Sequence, residues 1–542
     1  MPTLHFKGKT FVQNHHLAVK YHQLVPKADL SLTDKVSLHD NLIIQGDNLK
    51  ALKALLPTYA GKVKCIYIDP PYNTGNEHWK YNDNVNSPMI QEWLGKEVAI
   101  DDLTRHDKWL CMMMPRLKLL RELLSEDGAI VINIENNEYS NLKLILDEIF
   151  GEQNFIGCFI WRKKEGGGQT KEYFVTEHEY IIIYAKSNEF NWIDDTLEGD
   201  DTAFNKEDEN GKYKLVKLAK WGNTARKEDR PKMHFPIYAP DGKKVIPYAP
   251  DGNLGRWRVG KARMDLLIES ELIEFRKNEK NDWIAYEKIY FDENNITTIK
   301  ERSILYDLTN TADASKQLTE IFGRKDEFDT PKPIDLVKYF ISHISKNNDI
   351  ILDSFAGSGT TAHAVLELNK EDGGNRSFIL IEMEDYANSI TAERVRRVIK
   401  GIPTAKSELL KNGTGGTFSY FHLGDAIEME SILTQNNLPS YIEFARYLFY
   451  TATGEEFNEN IIDENTGFIG ESKNYEVYLF YKPDIEWLKT NALTLEACKA
   501  LPNIKNKQHL VFAPAKYVDD YTCLEYRIDF CQLPYEIYRI QK

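Results

Sequence analysis

Apolar and polar positions alternate in blocks through the first half of the chain. Asn41-Leu42-Ile43-Ile44 predicts a strand, and Asp47 to Leu56 a helix after the Gly46-Asp47 turn. Val63 to Ile68 predicts a second strand that runs into Asp69-Pro70-Pro71-Tyr72. A long helix is expected from Asp107 to Leu124, stopped by Ser125-Glu126-Asp127-Gly128. Ala129 to Ile134 reads as a strand and Glu138 to Phe150 as a helix; Phe155 to Trp161 and Glu179 to Ala185 read as two more strands. Strands alternating with helices predict a largely parallel sheet with helices on both faces, an α/β fold.

The pattern weakens between Arg162 and Arg324, where charge, Gly, Asn and Asp dominate. It returns with the strand Asp349 to Asp353, a glycine turn, a helix from Thr360 to Leu368 and the strand Ser377 to Glu382. Ile390 to Lys400 has the spacing of a basic amphipathic helix. Lys411-Asn412-Gly413-Thr414-Gly415-Gly416 looks like a linker, and aromatic-rich strands follow it (Tyr475 to Tyr481, His509 to Ala513, Glu525 to Phe530). The expected organisation is an N-terminal arm (1–30), a core half (31–161), an insert (162–324), a second core half (325–410) and a C-terminal α+β domain (417–542).

Composition adjusts this picture in a few places. No stretch nears the ~18 consecutive apolar residues that a spanning helix needs. Met1 to Lys7 lacks the charged head and apolar run of a secretion signal, so the default expectation is a cytoplasmic protein. The six cysteines form no CxxC pair and no Cys/His set with zinc spacing, which predicts free thiols and no metal. His15-His16 is expected to serve packing or the surface rather than a metal.

The net charge of −15 argues against nucleic acid when taken alone. Its distribution argues otherwise. Between Gly211 and Lys232 lie Lys212, Lys214, Lys217, Lys220, Arg226, Lys227, Arg230 and Lys232 against only Glu228 and Asp229. Arg256, Arg258, Lys261 and Arg263 follow with no anion among them. Trp161-Arg162-Lys163-Lys164 precedes Gly166-Gly167-Gly168 and is expected to form a basic loop. Arg162, Lys163, Arg226, Arg230, Arg256 and Arg258 are therefore candidates to bind DNA phosphates or guanine edges. A solvated charged face is the alternative for any one of them.

Two motifs carry chemistry. Asp69-Pro70-Pro71-Tyr72 ends an apolar strand, where open α/β sheets bind ligands. Two prolines stiffen the turn and remove two N–H donors, leaving acceptors beside an aromatic ring. That combination suits a planar amine, although a rigid turn alone would use the same residues. The second motif is Asp353-Ser354-Phe355-Ala356-Gly357-Ser358-Gly359-Thr360-Thr361, between a strand and a helix. Gly357 and Gly359 permit a tight turn and close approach of a ligand. No Lys-Ser/Thr follows at P-loop spacing. Glu382, ending the next strand, stands where a ribose diol is often held.

Together the motifs resemble the amino-methyltransferases that use S-adenosylmethionine. The resemblance implies that Asp353 binds the methionine amine, Phe355 packs on the cofactor, the Gly357–Thr360 turn cradles it, and Glu382 takes the ribose hydroxyls. Phe328-Asp329-Thr330-Pro331-Lys332-Pro333 is similar to a family element that places Thr330 and Lys332 near the methionine carboxylate. Gly46-Asp47 resembles the turn that sets Asp47 near the adenine of the cofactor. The catalytic motif precedes the cofactor motif, as in the circularly permuted beta class, where the target-recognition region lies between the halves. Asp at the first motif position resembles the adenine-N6 enzymes; N4-cytosine relatives in this arrangement usually carry Ser. No Pro-Cys dipeptide is present, so the cysteine nucleophile of five-position cytosine enzymes is missing.

Asp69-Pro70-Pro71-Tyr72-Asn73-Thr74-Gly75 with Tyr81-Asn82-Asp83, and Arg230-Pro231, His234-Phe235-Pro236-Ile237-Tyr238 and Gly255-Arg256-Trp257-Arg258, resemble the modification subunits of type III restriction–modification systems. That resemblance implies methyl transfer to the N6 amine of a flipped-out adenine in double-stranded DNA, a homodimer, and a restriction (helicase) subunit as partner. N4-cytosine transfer, or a DNA-reading and assembly subunit with little catalysis of its own, remain the alternatives. Everything depends on residues 69–72 and 355–359 lining one cleft.

Overall fold

The computed structural model describes residues 4–73, 105–166, 173–197, 204–222, 224–290, 297–325, 327–427, 438–502 and 506–533. Thr74-Gly75, Tyr81-Asn82-Asp83 and Gly167-Gly168 lie outside the described residues. The chain folds as two compact units, residues 1–193 with 302–542, and residues 194–301.

The first unit is built on a ten-stranded sheet. Its order is His22–Pro26, Ser419–Ala426, Leu42–Gln45, Ser377–Glu382, Ile350–Asp353, Val63–Ile68, Leu124–Ile134, His178–Ala185, Phe155–Arg162 and Ile304–Leu305. The strands from Ser419–Ala426 through Leu124–Ile134 run parallel. His178–Ala185 runs against both of its neighbours. The largely parallel α/β sheet expected from the apolar blocks is therefore present, with antiparallel pairing near its two edges.

Both faces of the sheet are covered, which is why its strands read as unbroken apolar runs. Along Val63–Ile68, Val63, Ile66 and Ile68 enter one core while Cys65 and Tyr67 enter the other. The first core is closed by the helices Asn48–Tyr59, Arg105–Leu123 and Asn136–Phe150. The second is closed by Thr311–Phe322, Ile334–Ile344, Thr360–Asp372 and Glu393–Lys400. The early helices thus take one face and the late helices the other. The strands of residues 350–382 sit between those of residues 42–45 and 63–68, so the two halves interleave in one sheet.

Several expected boundaries move. The insert expected over 162–324 narrows to Asp194–Glu301, because Arg162, His178–Ala185, Ile304–Leu305 and Thr311–Phe322 all belong to the sheet unit. The N-terminal arm supplies an edge strand, His22–Pro26. The linker at 411–416 does not end the core: the next strand, Ser419–Ala426, pairs with Leu42–Gln45. The helix stop at Ser125–Gly128 survives as an irregularity inside the strand Leu124–Ile134, where the ladder passes from Val63↔Leu124 to Cys65↔Ala129.

Beyond the sheet, Phe468–Glu471, Tyr475–Leu479, Gln508–Ala513 and Ile528–Gln532 form a second, four-stranded sheet in the same unit. The helix Tyr441–Thr453 joins it to the large sheet's helical layer, with Tyr447 and Tyr21 rings 4.7 Å apart. The 194–301 unit contains an antiparallel sheet of Ile273–Lys277, Trp283–Tyr290, Gly211–Lys217 and Lys206–Asp208. Its core gathers Leu218, Ile237, Trp257, Met264 and Leu267. The cysteines are free thiols. Among the described residues no three metal-ligating side chains cluster, and no helix is long and apolar enough to cross a membrane.

Candidate active site

Two adjacent parallel strands, Val63–Ile68 and Ile350–Asp353, end side by side, pairing Leu352 with Ile66. The residues that follow them meet. A cavity of about 290 Å³ is lined by Asp69, Pro70, Pro71 and Tyr72 from the first and by Asp353, Phe355, Ala356, Gly357, Ser358 and Thr360 from the second. Thr330, Pro331 and Lys332 form another wall. The two motifs, far apart in sequence, therefore share one cleft at the carboxyl ends of parallel strands, the usual ligand position in open α/β sheets.

Local bonds fix each wall. The indole N–H of Trp109 donates to the Pro71 carbonyl at 2.7 Å. Asn73, at φ 57°, donates to Glu138 at 2.6 Å and to the Arg105 carbonyl at 3.1 Å. Gly357 and Gly359 take φ values of 50° and 78°, the left-handed region that side chains resist. A Cβ on Gly359 would lie 3.0 Å from the Thr391 carbonyl oxygen, and one on Gly357 would lie 3.2 Å from the Phe328 ring. Both glycines are thus required by backbone shape and by close approach.

Asp69 is the centre of a dense charge network. Its Oδ1 accepts from the Tyr72 hydroxyl at 2.5 Å, and its Oδ2 from Lys332 Nζ at 2.6 Å. Glu179 Oε2 lies 3.0 Å from the same hydroxyl and 3.5 Å from the same ammonium. Lys163 stands 3.3 Å from Glu179 Oε1 and also pairs with Glu135. Lys332 Nζ sits 5.1 Å above the Tyr72 ring centroid. Burial pushes the Asp69 carboxyl above its ordinary value; Lys332 opposes this and the Glu179 charge adds to it. Burial works the same way on Glu179, but Lys332 and Lys163 outweigh it and hold that carboxyl low. Environments that push two acids apart are how one pocket obtains different roles from like groups.

Asp353 is buried and lines the cavity. Its Oδ2 accepts from Thr361 at 2.6 Å and its Oδ1 from the Phe355 amide at 3.0 Å. Burial raises its carboxyl to about 7, against those two bonds. A buried acid in that state is stabilised by any cation that enters. Beside it, Ser354 Oγ is buried with no hydrogen-bond partner among the described residues.

Other expected residues take different posts. Glu382 does not line the cavity; it stands behind the glycine turn, accepting from the amides of Gly357 at 2.8 Å, Met383 at 2.8 Å and Glu384 at 3.0 Å. Asp47 caps the helix Asn48–Tyr59 through the Lys50 amide and lies 3.9 Å from Arg116, away from the cavity lining. Lys332 is spent on Asp69 rather than left open for a carboxylate. Lys163, expected on a DNA-facing loop, turns into the cavity. Arg162 pairs with Glu165 and donates to the Tyr306 carbonyl at 3.2 Å.

In the 194–301 unit, Arg256 is 5% exposed, and its guanidinium is committed to Thr224, Met233 Sδ and the Trp257 carbonyl. It serves the core and is not a phosphate contact. Arg226 pairs with Asp251 at 2.7 Å, while Arg230 and Arg258 are exposed. Glu179 and Glu135 went unnoticed in the sequence. The available signal was an acid at an end of an apolar strand, in His178-Glu179-Tyr180-Ile181 and in Ile132-Asn133-Ile134-Glu135.

A family model described as DNA methylase matches residues 63–393. The EcoPI Mod subunit of a type III restriction-modification enzyme, from Escherichia phage P1, is 33% identical over 447 residues, covering 73% of this chain and 68% of that protein. The StyLTI Mod subunit from Salmonella typhimurium is 31% identical, covering 71% of this chain and 59% of its own length. The type II methyltransferase M.KpnI from Klebsiella pneumoniae is 34% identical, covering 62% of this chain and 79% of its own length.

Proposed function

The chain belongs to the DNA methylase family, and from that premise we propose that it transfers a methyl group from S-adenosylmethionine to the N6 amine of an adenine flipped out of double-stranded DNA. The observation that carries this is the single cavity shared by Asp69–Tyr72 and the Gly357 turn. The pocket suits the cofactor: it offers anions and an apolar, aromatic wall of Tyr67, Phe328 and Phe355 to an amphipathic cation. When bound, S-adenosylmethionine supplies an electrophilic methyl carried on a sulfonium. Asp353, Phe355, Gly357 and Thr360 would hold it, with Thr330 also lining the cavity and Glu382 shaping the turn from behind.

The amine is a weak nucleophile because its lone pair is delocalised into the ring. The Asp69 carboxylate and the Pro70 carbonyl accept its two hydrogens and so draw the nitrogen towards tetrahedral geometry. Tyr72 offers a face for the extruded ring, worth about 1–3 kcal/mol of stacking. Positioning and electrostatics supply the rate, with no covalent enzyme intermediate. The exposed cations Arg226, Arg230 and Arg258 hold DNA by its phosphates.

The similarity to Mod subunits supports a role as the modification subunit of a restriction–modification system, working as a homodimer in the cytoplasm beside a restriction subunit. The deciding experiment compares Asp69→Ala with the parent. The variant is expected to bind S-adenosylmethionine normally and to lose methyl transfer by about 10²-fold or more, the scale of a lost preorganised group. Wild-type transfer in that variant overturns the assignment, and mapping the methylated nucleoside separates N6-adenine from N4-cytosine.

A further inference from the structure

Asp69 is ill-prepared to receive an amine as it stands. One oxygen holds the Tyr72 hydroxyl and the other an ammonium at 2.6 Å. A carboxylate neutralised by a contact cation pulls weakly on a neutral N–H. Releasing either group leaves Asp69 a stronger acceptor for the one amine hydrogen it takes, and both have a second acceptor already within reach. Glu179 Oε2 lies 3.0 Å from the Tyr72 hydroxyl and 3.5 Å from Lys332 Nζ.

We infer that Glu179 is a positioning residue for methyl transfer, taking the Tyr72 hydroxyl and the Lys332 ammonium from Asp69 as the nucleobase enters, so that the Asp69 carboxylate is freed to accept the amine hydrogen. The inference rests on the methyltransferase reading above. No covalent bond changes in the exchange: the tyrosine proton and the ammonium protons swap one carboxylate acceptor for another. The charge balance permits it. Asp69, Glu179 and Glu135 oppose Lys332 and Lys163, so the cluster carries one net negative charge whichever acid holds Lys332. Lys163 grips the other Glu179 oxygen and keeps that carboxylate aimed at the exchange.

Glu179 also anchors the Tyr72 ring. With its hydroxyl always able to donate to one of two carboxylates, Asp69 at 2.5 Å or Glu179 at 3.0 Å, the ring is held in place before any base arrives. A purely structural role would not require a charge here. Replacing buried ion pairs by apolar groups of similar size is often neutral or stabilising. Yet Glu179, only 5% exposed, stands second in a largely apolar strand and lines the cavity.

The test uses the full chain, saturating S-adenosylmethionine and duplex DNA carrying the methylation site. Glu179→Gln can still accept one hydrogen bond but cannot balance Lys332, so single-turnover transfer is expected to fall by about 10²-fold. The KM for DNA and the affinity for S-adenosylmethionine should stay within about threefold of the parent, because an interaction needed only at the transition state is lost. Glu179→Asp, which keeps the charge, should recover part of the rate. Transfer by Glu179→Gln at the parental rate overturns the inference. So does a loss of cofactor binding in both variants, since that marks a structural residue. Asp69→Ala run alongside separates the two claims: if it is inactive while Glu179→Gln is active, the methyltransferase reading stands and only this inference falls.

Discussion

Arg394 and Arg258 carry the same charge in opposite surroundings. Arg394, in the sheet unit, is 1% exposed and donates to Ser358 Oγ at 3.0 Å and to Thr360 Oγ1 at 2.8 Å, behind the glycine turn. Its other terminal nitrogen lies 3.1 Å from His363, which in turn bonds Glu367. Burial lowers its pKa to about 9, which still leaves it a cation at neutral pH. Arg258, in the 194–301 unit, is open to water. The sheet unit uses buried cations to brace the cavity; the smaller unit leaves Arg230 and Arg258 open to solvent. Identical residue types in a basic run cannot be sorted into these uses without knowing burial, and Arg256, two positions from Arg258, falls on the buried side.

The largest expected effect tests the buried end of the contrast. Arg394→Ala leaves Ser358, Thr360 and His363 without their donor and should destabilise the sheet unit by about 3–5 kcal/mol, read as the shift of its unfolding transition. A change below about 1 kcal/mol would remove the bracing role. Arg256→Ala comes next, with an expected loss of about 2–3 kcal/mol in the 194–301 unit. At salt concentrations where that unit stays folded, the salt dependence of DNA affinity should not change. A lower salt slope would return Arg256 to the phosphate contacts.

pH supplies the third test. Burial raises Asp353 and Glu382 to about 7, so the folded chain holds protons that the unfolded chain releases near pH 4. The stability these two groups contribute should therefore be fully present below that value and be lost as pH rises to about 7, by at most about 1.4 kcal/mol per pH unit for each group. Asp353→Asn should flatten the slope and Arg258→Ala should not; an unchanged slope in Asp353→Asn would refute the assignment. The smallest stability effect is expected for Arg230→Ala and Arg258→Ala, within about 0.5 kcal/mol. Each should still weaken DNA binding evenly across sequences and reduce the salt slope by about one. A melting shift without a slope change would reverse the comparison.

Legibility followed the range of the interactions. Val63–Ile68 and Ser377–Glu382 were read to the residue, because an apolar run bounded by turn residues is a local signal. Ser125–Gly128 is legible as the stop of the helix, which ends at Leu123, but not as part of the following strand, since only pairing with Val63 and Cys65 extends the ladder to Leu124. Lys332 was assigned to the cofactor and Lys163 to DNA from their motifs. The acid they share, Glu179, arrives on a strand that enters the sheet from the opposite direction.

The sequence alone determined the alternation of elements, the two chemical motifs and their order, because these depend on residue type and spacing along the backbone. The tertiary structure alone decided which charges face each other, which cations are buried, and that Asp69 begins with both oxygens occupied. Those outcomes depend on distance and dielectric, and both are set by strands that meet only after the chain has folded.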